Sequence, residues 1–327
     1  MTNDRGDSMR NKTAWLLLFI IALIPSAFAQ SPWPNRAIRI VVPFPPGGNT
    51  DVVARLLAPR LAEEYGQPFV VDNRGGAGGT VGAEAVARAA PDGHTLIVIA
   101  STYASSAALY NLPYDPVSGI APVGIITVGP LVLAAHPGVK ANNLKEFVEL
   151  LRAKPGAMSF GSSGTGSVPH LAAELFRQMT RTEAVHVPYK GDTPAIADLM
   201  GGHIQYVMIS PLAIAPQIKA GRLRGLGVST EQRSQVMPDL PAIGEVVPGY
   251  KAATWFAMWA PAGTPRDVVA RLNQSISRIA QTPDVQSRLR ADGMEPATST
   301  PEEFGRFIGE EIAKWSKVVK AGNIKVD

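Results

Sequence analysis

The sequence predicts an α/β protein of two domains, each a mostly parallel sheet flanked by helices, and three observations carry that expectation. From Ile38 onward short β-branched runs alternate with helical patterns, as in parallel strands joined by crossover helices. The 327 residues are 46% hydrophobic and 18% charged, enough to bury a sizeable core and, at about 100 to 200 residues per domain, to fill two domains. After Pro261 the pattern turns wholly helical, which suits a first domain interrupted by a second and then resumed.

Residues 1–29 stand apart. Arg10 and Lys12 precede an apolar run from Ala14 to Ile24, followed by Pro25 and the small-residue triplet Ala27-Phe28-Ala29, which reads as a signal peptide cut before Gln30. The run is too short for a membrane span, which takes roughly 20 apolar residues. Cleavage would remove Arg5, Arg10 and Lys12 with Asp4 and Asp7, lowering the formal net charge from +4 to +3. So mild a balance argues against a nucleic-acid partner and is compatible with small anions. The absence of cysteine leaves stability to packing and excludes disulfides, thiol catalysis, Cys-based zinc or haem, and a lipobox anchor.

Strands are expected at Ile38–Val42, Phe69–Val71, Thr95–Ile99, Ile125–Ala134, Met158–Phe160, Ala184–Val187, Gln205–Ile209, Arg224–Val228 and Trp255–Ala260. Between them Val53, Leu56, Leu57 and Leu61 keep helical spacing, as do Leu171, Ala172, Leu175 and Met179, and both stripes read as core. Pro59 removes one ladder bond from the first helix and predicts a kink or early break near Ala58. Helices Pro265–Ala280, Asp284–Ala291 and Pro301–Ala321, each opened by Pro or Asp, close the chain with no strand after them. The expected division is 30–134 with 249–327 as one lobe and 135–248 as the other.

Two glycine-rich turns, each between a strand and a helix, are the leading site candidates. In Pro43–Asp51, Gly47 and Gly48 can adopt backbone angles closed to other residues, and Asn49 or Thr50 can cap the helix. Gly161–His170 holds four hydroxyls, Ser162, Ser163, Thr165 and Ser167, with Gly166 and His170 at a helix start. One hydroxyl suffices for a cap. Free N–H groups at helix starts attract carboxylate or phosphate without a cationic side chain. Charge-assisted bonds contribute about 1.5 to 3 kcal/mol each, so four or five donors reach about −8 kcal/mol, or micromolar affinity. Ser101-Thr102-Tyr103 can add hydroxyls, and His186–Gly191, with Tyr189, leaves the C-terminal end of a strand, where ligands of open α/β sheets bind.

Catalytic and cofactor templates fail. Ser163 has Gly161 two before it but Thr165 two after, so there is no nucleophile elbow. The chain has no Gly-Lys pair for a P-loop, and neither Gly164-Thr-Gly166 nor Gly76-Ala-Gly78 continues into a dinucleotide fingerprint. The five His show no metal-ligand spacing. No metal, cofactor or catalytic residue is expected.

Seven motifs can then be set in order: Pro43–Asp51, Asp72–Gly79, Pro91–Thr95, Leu112–Pro116, Gly164–Ser167, His186–Gly191 and Ala260–Pro265. Together, from about Trp33 to Val319, they resemble the extracytoplasmic solute receptors of tripartite tricarboxylate transporters, the Bug family. The resemblance implies a two-lobed periplasmic binding protein of type II-like architecture, with a ligand cleft between the lobes. It implies a soluble monomer that closes on a small organic acid and delivers it to a two-component membrane permease. Ligand carboxylates would be held by Gly47 and Gly48 on one lobe and by Ser162, Ser163, Thr165, Gly166 and Ser167 on the other, partly through water. Phe44, Ser101, Thr102, His170 and Tyr189 would lie around them. Tyr103 stands where a His is frequent, and Arg74-Gly75 where Arg-Pro is usual. On this reading the first turn grips a carboxylate common to many ligands, while the second, with Tyr103 and Tyr189, sets the choice among dicarboxylates, tricarboxylates, amino acids and aromatic acids. Two other readings stand beside it: a secreted hydrolase using Ser163 or Ser167 with His170 as base, and a subunit that reports its ligand to a signalling partner.

Overall fold

A computed structural model describes residues 33–326, and the compact unit considered below begins at Arg36. The signal-peptide expectation over 1–29 lies outside the described residues.

Along the chain run β1 (Ile38–Val42), α1 (Asn49–Tyr65), β2 (Phe69–Asn73), α2 (Thr80–Ala87), β3 (Thr95–Ala100), α3 (Thr102–Leu109), β4 (Ile120–Gly129) and β5 (Val132–Ala135). Then come α4 (Leu144–Ala153), β6 (Ser159–Ser162), α5 (Val168–Thr180), β7 (Val185–Pro188), α6 (Asp192–Met200), β8 (Tyr206–Ile209), α7 (Pro211–Lys219) and β9 (Arg224–Val228). The chain closes with β10 (Thr254–Pro261), α8 (Arg266–Ala280), α9 (Pro283–Ala291), β11 (Glu295–Pro296) and α10 (Pro301–Ala321).

The strands form two sheets, ordered β11-β4-β10-β3-β1-β2 and β7-β6-β8-β5-β9. Both are mixed. In the first, β1 pairs in parallel with β2 and β3, while β10 lies antiparallel between β3 and β4. In the second, β6 pairs in parallel with β7 and β8, while β5 lies antiparallel between β8 and β9. Most strands of each sheet still run one way. Apart from the two-residue β11, the reversed strands are β5 and β10, with which the chain enters one sheet and returns to the other.

The expected strand Ile125–Ala134 is therefore two strands in different sheets. Pro130 cannot donate to a ladder, so pairing stops at Gly129. Ser229, fully buried, laces the two crossings side by side: its Oγ accepts from Leu131 N–H at 2.8 Å and donates to the Ala252 carbonyl at 2.6 Å. The expected break near Ala58 does not occur. α1 runs through Pro59 to Tyr65, because Val53, Ala54, Leu57, Ala58 and Leu61 seat one face in the core and outweigh the lost bond. The C-terminal segment also contains one strand, β11, antiparallel to β4.

An apolar cluster extends across both sheets, joining Ile97 and Ile99 of β3 to Phe160, Phe176, Tyr206 and Trp255. α10 seals it from one side. The Trp315 indole donates to Glu311 Oε2 at 3.1 Å, and the Trp255 indole donates to the same oxygen at 3.4 Å, so one buried carboxylate satisfies two buried N–H groups.

Candidate functional site

A cavity of about 490 Å³ opens where the C-terminal ends of strands from both sheets face each other. Five helices begin on its wall. α1 brings Gly48, Asn49 and Thr50, α3 brings Ser101 and Thr102, and α5 brings Ser167, Val168 and Pro169. α6 brings Asp192, and α7 is preceded by Ser210. Phe44, Pro45 and Pro46 overhang one side, and Leu131, Thr254 and Phe256 line it from the crossing and β10. Each helix start carries roughly half an elementary positive charge, although Pro169 of α5 and Pro211 of α7 have no N–H to offer and the His170 N–H is taken by Ser167 Oγ. Among the described residues no Lys, Arg or His lines the cavity. The positive potential of these helix starts is of backbone origin and suits a carboxylate, while Asp192 sets one negative side chain on the same wall.

The first turn is held from below. Gly47, with φ of 84°, turns its N–H onto Asp51 Oδ2 at 2.9 Å. Arg55 Nε reaches the same oxygen at 2.9 Å, and Asn73 Nδ2 donates to Asp51 Oδ1 at 3.0 Å and to the Phe44 carbonyl at 3.0 Å. Burial by itself would raise the Asp51 carboxyl, but these hydrogen bonds and the Arg55 charge hold it below the usual carboxylate range. Gly47 is thus committed to the scaffold, and its neighbour Gly48 faces the cavity. Gly48 has φ of −75°, so its conformation is open to any residue. What its missing side chain leaves is room beside the helix start.

The second turn is organised differently. Ser162 is fully buried, and its Oγ lies 2.7 Å from His186 Nε2 and 3.1 Å from the Gly164 carbonyl. Ser167 Oγ donates to the Gly164 carbonyl at 2.7 Å and accepts the His170 N–H as the cap of α5. His170 is buried, accepts the Gly166 N–H at Nδ1, and stacks on His186 with ring centroids 3.7 Å apart. Burial pushes His170 down to about 3, with His186 and Arg177 adding to the shift, and burial pushes His186 down to about 4. Both rings are neutral at pH 7. A Cβ on Gly166 would meet Leu109 of α3 at 2.5 Å, so that glycine packs the turn against the neighbouring helix. Thr165 is exposed.

Of the residues expected at the site, Phe44, Gly48, Ser101, Thr102, Ser163 and Ser167 line the cavity. Gly47, Ser162, Thr165, Gly166, His170 and Tyr189 do not. Tyr189 donates to Asp198 on the following helix at 2.7 Å, and Tyr103 is buried with its hydroxyl on the Pro116 carbonyl at 2.8 Å, so neither tyrosine reaches the wall. Thr102 Oγ1 is buried and pairs with no protein atom. The serine-hydrolase geometry is missing: Ser167 bonds to Gly164, Ser163 bonds to Asp192, and His170 Nδ1 is occupied by a backbone donor. A ring titrating near 3 is also a weak base at neutral pH.

Four polar residues of the wall escaped the sequence reading as ligand contacts: Asn49, Thr50, Asp192 and Ser210. Asp192 follows directly on the expected His186–Gly191 loop, and Ser210 follows the expected strand Gln205–Ile209 before Pro211. Extending the strand-end rule by one residue to the helix start finds both. Ser163 Oγ donates to Asp192 Oδ1, and the Ser210 N–H also bonds the Asp192 carboxylate.

Comparison with known proteins finds relatives over nearly the whole chain. Residues 53–324 match the model of the tripartite tricarboxylate transporter family receptors. BugT of Bordetella pertussis is 36% identical over 307 residues, covering 93% of this chain and 94% of that protein. A structure of Rpa4515 from Rhodopseudomonas palustris with adipate has a TM-score of 0.75 and 37% identity, covering 90% of this chain and 99% of that one. MatC from Rhodopseudomonas palustris with bound malate has a TM-score of 0.71 and 34% identity, covering 88% and 100%. Proteins of this kind are solute-binding proteins, not enzymes.

Proposed function

Because the chain belongs to the receptor family of tripartite tricarboxylate transporters, we propose that it captures a small organic acid in the cavity between its two sheets and hands it to a membrane permease of that system. The observation that carries this reading is the convergence of five helix starts on one cavity whose wall, among the described residues, holds no cationic side chain. Adipate and malate in the structures of two relatives are ligands of the same chemistry.

In the proposed cycle the first sheet with its helices forms one lobe and the second sheet, from β5 to β9, forms the other, hinged where Ser229 ties the crossings at Leu131 and Ala252, a few residues from the expected boundaries after 134 and 248. The lobes close on the acid because each supplies part of the wall, and only the closed state completes its shell of donors. Gly48, Asn49 and Thr102 would meet a carboxylate from one side, and Ser163 and Ser210 would face the ligand from the other. The receptor works as a periplasmic monomer, with residues 1–29 as its export signal.

The test is a thermal-shift panel of organic acids on the mature protein, with calorimetry on each hit. At least one acid is expected to bind with a Kd near the micromolar range, about −8 kcal/mol. If none bound more tightly than about millimolar, roughly −4 kcal/mol, the carboxylate reading would fail.

A further inference from the structure

Among the described residues Asp192 is the one ionisable side chain on the wall of a cavity otherwise built to attract anions. Its setting differs from that of Asp51, which also sits in a first helical turn but has Arg55 at 2.9 Å. Asp192 is half-buried, and its two protein contacts are neutral donors, the Ser163 hydroxyl and the Ser210 N–H. These fix the carboxylate from two elements of the second sheet and leave part of its acceptor capacity facing the cavity. Two donors and no acceptor suit an ionised carboxylate, whereas a carboxylic acid would have to place its own proton. The nearby titratable groups bring no countercharge. His170 and His186 are neutral, Tyr189 is hydrogen-bonded to Asp198, and Lys190 is exposed and off the wall.

Building on the reading of the cavity as a carboxylate site, we propose that Asp192 makes the receptor selective for organic acids that also carry an amino group. The ligand's carboxylate faces the starts of α1 and α3, and its ammonium sits against Asp192. A ligand with negative charge alone would bring a second anion to an acid without a counterion. One with an ammonium supplies that counterion and completes the hydrogen bonding of Asp192. Burial pushes the Asp192 carboxyl above its usual range despite the two donors, as befits a carboxylate whose partner arrives with the ligand.

Calorimetry on the mature protein with pairs that differ only in the amino group tests this: L-aspartate against succinate, L-glutamate against glutarate, and 6-aminohexanoate against hexanoate. In at least one pair the amino acid should bind about tenfold or more tightly than its partner. Asp192→Asn, which keeps the shape and removes the charge, should bring that ratio to within about threefold, chiefly by weakening the amino acid. The wild-type comparison decides by itself if the variant does not fold. Equal or tighter binding of the acids without an amino group in every pair overturns the inference while the carboxylate reading stands. An unchanged ratio in a folded Asp192→Asn protein also overturns it. Silence from every acid overturns both.

Discussion

Pro43–Asp51 and Gly161–His170 look alike as sequence, each a glycine-rich turn from a strand into a helix with several polar residues. In the fold the first rests on an ion-paired carboxylate beneath it and turns Gly48, Asn49 and Thr50 towards the cavity. The second directs most of its polar groups inward, onto Gly164, His186 and the cap of α5, and presents Ser163 and Ser167 alone of its four hydroxyls. A count of donors in a turn therefore overstates those free to meet a ligand. Of the four hydroxyls that seemed too many for capping, those of Ser162 and Ser167 build the turn itself.

The two scaffolds also differ in charge, and acid should separate them most widely. His170 and His186 titrate at about 3 and about 4 when folded, below the ordinary 6.5, so the unfolded chain binds more protons in the interval between. Their contribution is fully present above pH 6.5 and is lost as pH falls towards 4 and then 3. Asp51 is also held below its ordinary value, but its contribution is complete above about pH 4 and is lost only below it. Between pH 6.5 and 4 acid thus acts on the second scaffold alone. With about 1.4 kcal/mol for each pH unit through which a group's titration is displaced, the loss by pH 4 should reach several kcal/mol. Urea midpoints across this range, with hydrogen exchange resolved to 43–51 and 161–170, should show the second segment losing protection first. Simultaneous loss would mean that the two turns open as one unit.

Much of the fold follows from sequence pattern, and the failures have identifiable causes. β1 matches its expected bounds because its β-branched run Ile40-Val41-Val42 ends at Pro43, and β9 matches although Val228 is its one β-branched residue. The run Ile125–Ala134 is apolar throughout, so periodicity gives no sign that Gly129-Pro130 carries the chain from one sheet to the other. Gly48, Ser101 and Thr102 lie on the cavity wall, a placement that follows from the local geometry of strand-end turns. His170 and Tyr189 lie off the cavity wall because the partners that hold them there, His186 and Asp198, become neighbours only in the folded chain.

The next effect in size tests the first scaffold. Asp51→Ala leaves the Gly47 N–H and the Asn73 amide without their buried acceptor and frees Arg55. Gly47 is exposed, and Asn73 is half-buried and still bonded to the Phe44 carbonyl, so water replaces part of what is lost and a loss of about 1 to 2 kcal/mol is expected in chemical denaturation at pH 7. Ligand affinity should fall with it, since the turn that aims Gly48 rests on this carboxylate. A loss below about 0.5 kcal/mol, as at an ordinary surface site, would show that the turn holds its shape without Asp51.

The smallest effect contrasts the faces of the two turns directly. An added Cβ at Gly48 would find only the Pro45 carbonyl, at 3.7 Å, and its backbone angles suit alanine, so Gly48→Ala should leave stability unchanged. The new methyl would occupy cavity beside the start of α1 and should weaken binding about tenfold, near 1.4 kcal/mol. Thr165→Ala removes an exposed hydroxyl from the second turn and should leave affinity within about twofold, under 0.5 kcal/mol. Calorimetry with the best acid from the panel measures both variants. If Thr165→Ala weakened binding as much as Gly48→Ala, the second turn would have to swing its outer face onto the ligand when the lobes close. The grip would then be divided equally between the turns, as their sequences alone suggest.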